Sequence, residues 1–307
     1  MQESPDTAPR RQGPPWIDPA IQQRIEWRDG DVVVSVPPKS GTTWTMNIVH
    51  QLLTGGTDAF DDIYAEVPWI EFLAHPGETH QDVADRIAAM PRGRRRAFKS
   101  HSAPPDIPFV ARGAGPDVKY VVIFRHPEEA LVSFRPFLAQ HAEEWHELWG
   151  MPHGLLSRPD FPSFYWDVID AHGMQARFFG FLQAWWPLRN RDNVLFLHYS
   201  DMKRDHEASI RRIAAFIGAQ PKPAQWPRIL EYTSFAWMKQ HEDKFEARSI
   251  AATPILRSGA MIRNGAAGAA RADGMTPAIA AHLEAAGRRI CPERAAVDWF
   301  YSGGPLP

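Results

Sequence analysis

A lysine, a serine, a glycine and two threonines follow directly on a β-branched run. Val32-Val33-Val34 leads into Ser35-Val36-Pro37-Pro38-Lys39-Ser40-Gly41-Thr42-Thr43-Trp44. That order builds a cradle for a phosphate. Pro37 and Pro38 end the strand and Gly41 lets the backbone come close to an anion. The N–H groups of the next helical turn then point at that anion with the helix dipole behind them. Lys39 adds a full positive charge. Loops for nucleoside triphosphates place a glycine, four residues, then Gly-Lys-Ser/Thr. Here the lysine precedes the glycine, so an apparatus for a γ-phosphate and Mg²⁺ has no support.

Three more groups able to do chemistry close apolar runs. Lys99 and His101 end Arg96-Ala97-Phe98-Lys99-Ser100-His101, Arg125 follows the run 118–124 with Ser133 eight residues on, and Tyr199 ends the run 193–199. Open α/β sheets place ligands at the carboxyl ends of their strands, so these residues and Lys39 are expected to converge.

The elements that must position them read as strands at 31–36, 96–101, 118–124 and 193–199. Helical spacing covers 43–53, where Trp44, Ile48, Val49, Leu52 and Leu53 share a face and Gly55-Gly56 stops the run. Further helices are expected at 128–134 with Pro136 as a stop, at 175–186, and at 206–217 before Gly218. Residues 57–90 read as short helices and loops. Residues 141–170 read as irregular, and there Trp145, Trp149, Phe161, Phe164, Tyr165 and Trp166 leave open a choice between ordinary core and an apolar ligand pocket. Strands alternating with helices predict an α/β fold, a single domain with a central, mostly parallel sheet flanked by helices. The expected organisation is a flexible tail over 1–23 and one domain over 24–307.

Composition narrows the function. At 307 residues with a formal net charge of −2, the chain has no global basic field to attract nucleic acid. Arg92, Arg94, Arg95 and Arg96 form only a local cluster, read as a solvated loop. The lone cysteine, Cys291, excludes an internal disulfide and fits a reducing compartment. No apolar run reaches the length of a membrane span, and residues 1–15 lack the apolar core of a signal peptide, so a cytoplasmic protein with no transmembrane segment is expected. The thirteen histidines show no metal-ligand spacing.

The segment from Pro38 to Trp44 resembles the 5′-phosphosulfate loop of the cytosolic sulfotransferases, which use 3′-phosphoadenosine 5′-phosphosulfate (PAPS). The resemblance extends over about 25–276. Arg125 and Ser133 have the spacing of that family's 3′-phosphate contacts. Thr233-Ser234-Phe235 resembles its adenine contact, alongside Trp44 and Tyr199. Arg263-Asn264-Gly265-Ala266-Ala267-Gly268 resembles its Arg-Lys-Gly-x-x-Gly loop, with Asn264 in place of the usual lysine and Ala269-Ala270-Arg271-Ala272 in place of the usual Asp-Trp-Lys-Asn. Arg257 competes with Arg263 for that role. Lys99-Ser100-His101 resembles the family's Lys-Thr-His, in which the histidine is the general base.

The resemblance implies a P-loop-like sulfotransferase fold, and the low cysteine count with the Ala/Arg-rich text suggests a bacterial member of the family. It implies catalysis by His101 with Lys39 and Lys99. Cofactor contacts would come from Lys39, Ser40, Gly41, Thr42, Thr43, Trp44, Arg125, Ser133, Tyr199, Thr233, Phe235, Arg263, Asn264 and Gly265. The donor would be PAPS, the product 3′-phosphoadenosine 5′-phosphate (PAP), and no metal would be needed. The acceptor would be a hydroxyl, or second in order an amine, on a small apolar or lipid-like molecule. The family's dimer motif, Lys-x-x-x-Thr-Val-x-x-x-Glu, has no clean counterpart around 271–284, so a homodimer gains no support. A nucleotide or small-molecule kinase on a related P-loop fold, and a non-catalytic nucleotide-binding protein, stand as alternatives. The first lacks Gly-Lys-Ser/Thr, and the pairing of His101 with Lys99 argues against the second.

Overall fold

Four β-branched or aromatic runs form the expected strands: β1 (Val32–Ser35), β2 (Ala97–Ser100), β3 (Lys119–Phe124) and β4 (Val194–His198). A computed structural model describes residues 13–152, 154–262 and 268–307. The strands lie in the order β2-β1-β3-β4 and every pairing is parallel. The protein is thus a single α/β domain built on a parallel sheet.

Because strand side chains alternate, each strand feeds two cores. Val33, Phe98, Tyr120, Val122, Phe124 and Phe196 face one layer. Val32, Val34, Ala97, Val121, Ile123 and Leu197 face the other. Helices α1 (Thr42–Thr54), α4 (Tyr199–Arg204) and α5 (His206–Ile217) cover the second layer through Ile48, Val49, Leu52, Met202, Ile210 and Ile213. Helices α2 (Pro127–Leu138), α3 (Gln175–Trp185), α6 (Pro277–Ile290) and α7 (Arg294–Ser302) cover the first through Leu131, Phe181, Leu182, Leu283 and Phe300.

Three local expectations need correcting. Pro136 lies inside α2, which runs two residues past it to Leu138; so near the end of a helix, the missing N–H removes only one late hydrogen bond. Residues 141–170 are not irregular throughout: they hold helices at Glu143–Leu148 and Phe161–Phe164 and a π-helix at Tyr165–Asp170. Arg96 is not solvated. It and Asp31 are both 2% exposed, with Arg96 Nε donating to Asp31 Oδ1 at 2.9 Å and Nη2 to Oδ2 at 2.5 Å. The pair locks the starts of β1 and β2 in register, so that their far ends bring Ser35 beside Ser100.

The segment 14–23, the end of the expected tail with its short docking stretch, packs on the domain. Trp16, Ile21 and Gln22 are buried, the Asp18 N–H donates to the Glu71 carbonyl at 2.8 Å and the Leu73 N–H to the Trp16 carbonyl at 2.9 Å.

Candidate active site

The strand-to-helix turn after β1 takes a conformation that few residues accept. Lys39 has a φ of 62°, which costs a side-chain-bearing residue strain, and Gly41 has a φ of 95°. Gly41 is required twice over, since a Cβ there would stand 2.8 Å from Tyr199 Cδ2. Ser40 Oγ and Thr42 Oγ1 are buried and find no hydrogen-bond partner among the described residues. Orphaned hydroxyls at a helix N-terminus, on a turn pressed open by glycine, fit an anion.

The second strand end supplies an imidazole. His101 Nδ1 lies 2.6 Å from the Val36 carbonyl, so the neutral ring donates there and keeps its lone pair on Nε2. Burial, then the charges of Lys99 and Lys39, hold the His101 imidazole well below its ordinary pKa. Ser35, at the end of β1, is tied in as well: Trp185 Nε1 donates to Ser35 Oγ at 3.0 Å, and Ser35 Oγ donates to the Ser102 carbonyl at 2.8 Å.

Glu71 is a residue of this site that the sequence motifs do not mark. Its buried carboxylate accepts from Ser100 Oγ at 2.6 Å and from the His101 backbone N–H at 2.5 Å. It reaches this place because the segment around Trp69 runs beside β2: the Lys99 N–H donates to the Pro68 carbonyl at 2.9 Å and the Ile70 N–H to the Lys99 carbonyl at 3.1 Å. Burial pushes the Glu71 carboxyl up and the Lys99 ammonium well below its usual value, while their mutual attraction opposes both shifts. A carboxylate inside the apolar text Trp69-Ile70-Glu71-Phe72 is the signal that could have found it, since buried charges need partners. Lys99 Nζ also stands 3.2 Å from the Trp69 ring centroid, and Lys39 Nζ 4.1 Å from that of Phe137.

Arg125, at the end of β3, donates from Nη1 to the Lys39 carbonyl at 3.0 Å, and from Nε and Nη2 to Glu129 Oε2 at 3.3 Å each. Its guanidinium lies 4.7 Å from the Tyr199 ring centroid. Ser133 lies one turn beyond Glu129 on α2, and both line the same cavity as Arg125 and Lys39.

Trp44 donates from Nε1 to the Thr233 carbonyl at 2.8 Å and stacks on His206 with centroids 5.8 Å apart. Phe235, 48% exposed, completes an aromatic corner that lines the cavity with Trp44 and Tyr199. Thr233 differs from the expectation: it is fully buried, its hydroxyl donates to the Ile229 carbonyl at 2.7 Å, and it does not line the cavity. What it offers is orientation of Trp44. Arg263, Asn264 and Gly265 lie outside the described residues. Arg257 lines the cavity and pairs with Glu143 at 3.6 Å.

One cavity of about 1880 Å³ therefore joins Lys39, Gly41, Thr42, Thr43, Trp44, Lys99, His101, Arg125, Ser133, Tyr199 and Phe235. Its remaining wall is mostly apolar and includes Trp16, Trp69, Phe134, Phe137, Leu155, Leu156, Val168 and Phe181. The segment 145–166 gives that wall Leu155 and Leu156 but none of its aromatic rings. Trp145, Phe161, Phe164 and Tyr165 are core, Trp166 is exposed, and none of them lines the cavity. Among the described residues, no group of three or more His, Cys, Asp or Glu could hold a metal ion, and no helix is long and apolar enough to cross a membrane.

A nucleotide cradle, a half-buried neutral histidine and two lysines on one parallel sheet define a group-transfer site. Residues 29–290 match the model of the sulfotransferase domain, and the chain belongs to the sulfotransferase family. Sulfotransferase 2A1 of Rattus norvegicus is 28% identical over 219 residues, covering 70% of this chain and 69% of that protein. Among solved structures, mouse sulfotransferase SULT7A1 complexed with PAP superposes with a TM-score of 0.66 at 20% identity, over 92% of this chain and 90% of that one. Retinol dehydratase in a complex with retinol and PAP gives a TM-score of 0.68 at 20% identity, over 90% of this chain and 85% of that one. These likenesses agree with the parallel sheet and the sulfotransferase fold read from the sequence.

Proposed function

We propose that the chain transfers a sulfuryl group from PAPS to a hydroxyl on a substantially apolar acceptor, with His101 as the general base. The observation that carries this reading is the fixed tautomer of His101, whose Nε2 lone pair shares one cavity with Lys39 and Lys99. PAPS supplies the activated sulfuryl group, and PAP departs.

The chain's own residues divide the work. The turn from Lys39 to Thr43 binds the 5′ end through backbone N–H groups and the hydroxyls of Ser40 and Thr42. Trp44, Tyr199 and Phe235 offer faces to the adenine, while Arg125 and Ser133 take the 3′-phosphate. His101 Nε2 accepts the acceptor's proton as the new oxygen–sulfur bond forms and the sulfur–oxygen bond to the 5′-phosphate breaks. The lysine ammonium groups of Lys39 and Lys99 balance negative charge on the leaving oxygen and the sulfuryl oxygens. Burial, and after it the same two charges, keep His101 neutral before the reaction, and an anionic nucleotide beside the lysines raises its basicity when it is needed. Trp16, Trp69, Phe134 and Phe181 form an apolar wall suited to a phenol, steroid-like or lipid-like alcohol, a class that fits the retinol bound by the dehydratase.

Calorimetry without Mg²⁺ tests the nucleotide. PAP should bind well and ATP poorly; preferential ATP binding would favour a kinase. A turnover assay across phenols, lipid alcohols and sugars then tests the acceptor. Binding of PAP with no transfer to any of them would favour a non-catalytic protein, and a preference for charged sugars would overturn the apolar class.

A further inference from the structure

We infer that Glu129 is a positioning residue: its carboxylate joins Arg125 to the backbone at Gly268 and thereby sets the preference for a 3′-phosphorylated nucleotide. The inference rests on the reading of Arg125 as the 3′-phosphate contact.

Glu129 uses both of its oxygens on different parts of the chain. Oε2 accepts from Nε and Nη2 of Arg125, and Oε1 accepts from the N–H of Gly268, which is 139 positions away in sequence. Arg125 is thus held along its Nε edge by Glu129, at Nη1 by the Lys39 carbonyl, and on one face by the Tyr199 ring. Bidentate recognition of a phosphate demands a guanidinium fixed in plane and direction, and these interactions fix it.

A solvated i,i+4 pair on a helix would explain less. Such a pair contributes little to stability and requires no third group. Here the Glu129 side chain is 15% exposed, lines the nucleotide cavity and reaches a separate segment of backbone. A carboxylate beside a phosphate site also repels the ligand, so two roles for Glu129 predict opposite signs. If it only competes with the phosphate for Arg125, its removal tightens binding. If it positions Arg125 and Gly268, its removal weakens binding, and weakens it for nucleotides carrying a 3′-phosphate alone.

Calorimetry with PAP and with adenosine 5′-phosphate decides the matter for the wild type, Glu129→Ala and Glu129→Gln. We expect Glu129→Ala to lose about tenfold in PAP affinity, with adenosine 5′-phosphate affinity changing by less than about twofold, as fits the removal of one member of a coupled network. Glu129→Gln keeps one acceptor oxygen and should fall between the two. Hydrogen exchange at the Gly268 amide, without ligand, should quicken in Glu129→Ala. An unchanged ratio of the two affinities, or tighter PAP binding by the variant, overturns the inference. Should Glu129→Ala not fold, the same ratio in Glu129→Gln decides by the same criterion. A wild type that does not prefer PAP to adenosine 5′-phosphate would overturn the reading of Arg125, and the inference with it. A wild type with that preference and a variant that keeps it would overturn the inference alone.

Discussion

The half of the cavity proposed for the nucleotide and the half proposed for the acceptor are made in different ways. The first takes its polar groups from a few contiguous stretches at strand ends: 39–44 after β1, 99–101 at the end of β2, Arg125 after β3 and Tyr199 after β4. The second is assembled from single apolar residues of distant segments, including Trp16, Trp69, Phe137, Leu155, Val168 and Phe181. A strand end fixes where its side chains point, so the first half is stiff and its chemistry is set by residue type. Loop residues fix only a surface, so the second half is set by shape.

The largest expected effect tests the first half. His101→Ala should lower turnover by roughly 10²–10⁴-fold, the range of a missing general base, while PAP binding by calorimetry stays near wild type. Turnover within a few-fold of wild type would remove His101 from the mechanism and with it the division between the halves. Next, Arg125→Ala should weaken PAP binding by about 2–5 kcal/mol, as when one partner of a desolvated charge pair is removed. Adenosine 5′-phosphate should be affected much less. An equal loss for both ligands would mean that Arg125 supports the fold through Glu129 and Lys39 and does not read the 3′-phosphate.

How far the sequence could be read follows the same division. All four strands and the helices over 42–54 and 206–217 were legible, because burial on both faces leaves mostly apolar runs in β1, β3 and β4, because β2 is a short stretch closed by polar residues, and because Gly55 and Gly218 end helices in the left-handed region. The cradle was legible because its residues are contiguous. Glu71 was not, since it acts on Ser100 and His101 through a segment whose pairing beside β2 has no periodic signature. Nor was the role of Trp16: a Pro-rich start reads as tail, whereas Trp16 packs against Trp145 and Trp149 at centroid distances of 5.6 and 6.1 Å. Long-range packing of single aromatics leaves no local pattern. The choice left open for the aromatic segment falls to the core for Trp145, Phe161, Phe164 and Tyr165, while Trp166 is exposed.

A third prediction sharpens the comparison through acid. Burial lowers His50, on α1, and His141, in the cavity wall, to about 4. Above the ordinary value of 6.5 both are neutral whether the chain is folded or not, and their contribution to stability is complete. As pH falls from about 6.5 towards 4 the unfolded chain takes up protons that the folded one refuses. Stability should then drop with a limiting slope of about 1.4 kcal/mol per pH unit for each histidine. Thermal melting across this window should show the fall, and His141→Gln should flatten it relative to wild type. A melting temperature independent of pH between 6.5 and 4 would mean that these imidazoles already charge in the folded state.

The smallest expected effect tests the acceptor half alone. Leu155 is 46% exposed, so little stability depends on it, yet its side chain lines the cavity away from the strand ends. Leu155→Ala should therefore leave PAP binding unchanged and shift stability by less than about 0.5 kcal/mol, as surface substitutions generally do. The KM of a bulky apolar acceptor should rise several-fold and kcat should stay near wild type, because the truncated side chain would have held the acceptor equally in the ground and transition states. A fall in kcat with KM unchanged would mean that the apolar wall aligns the acceptor hydroxyl with His101, so that the two halves of the cavity act as one. An unchanged KM for bulky and small acceptors alike would place the acceptor elsewhere in the cavity, nearer Trp69 and Phe137, where the lysines are.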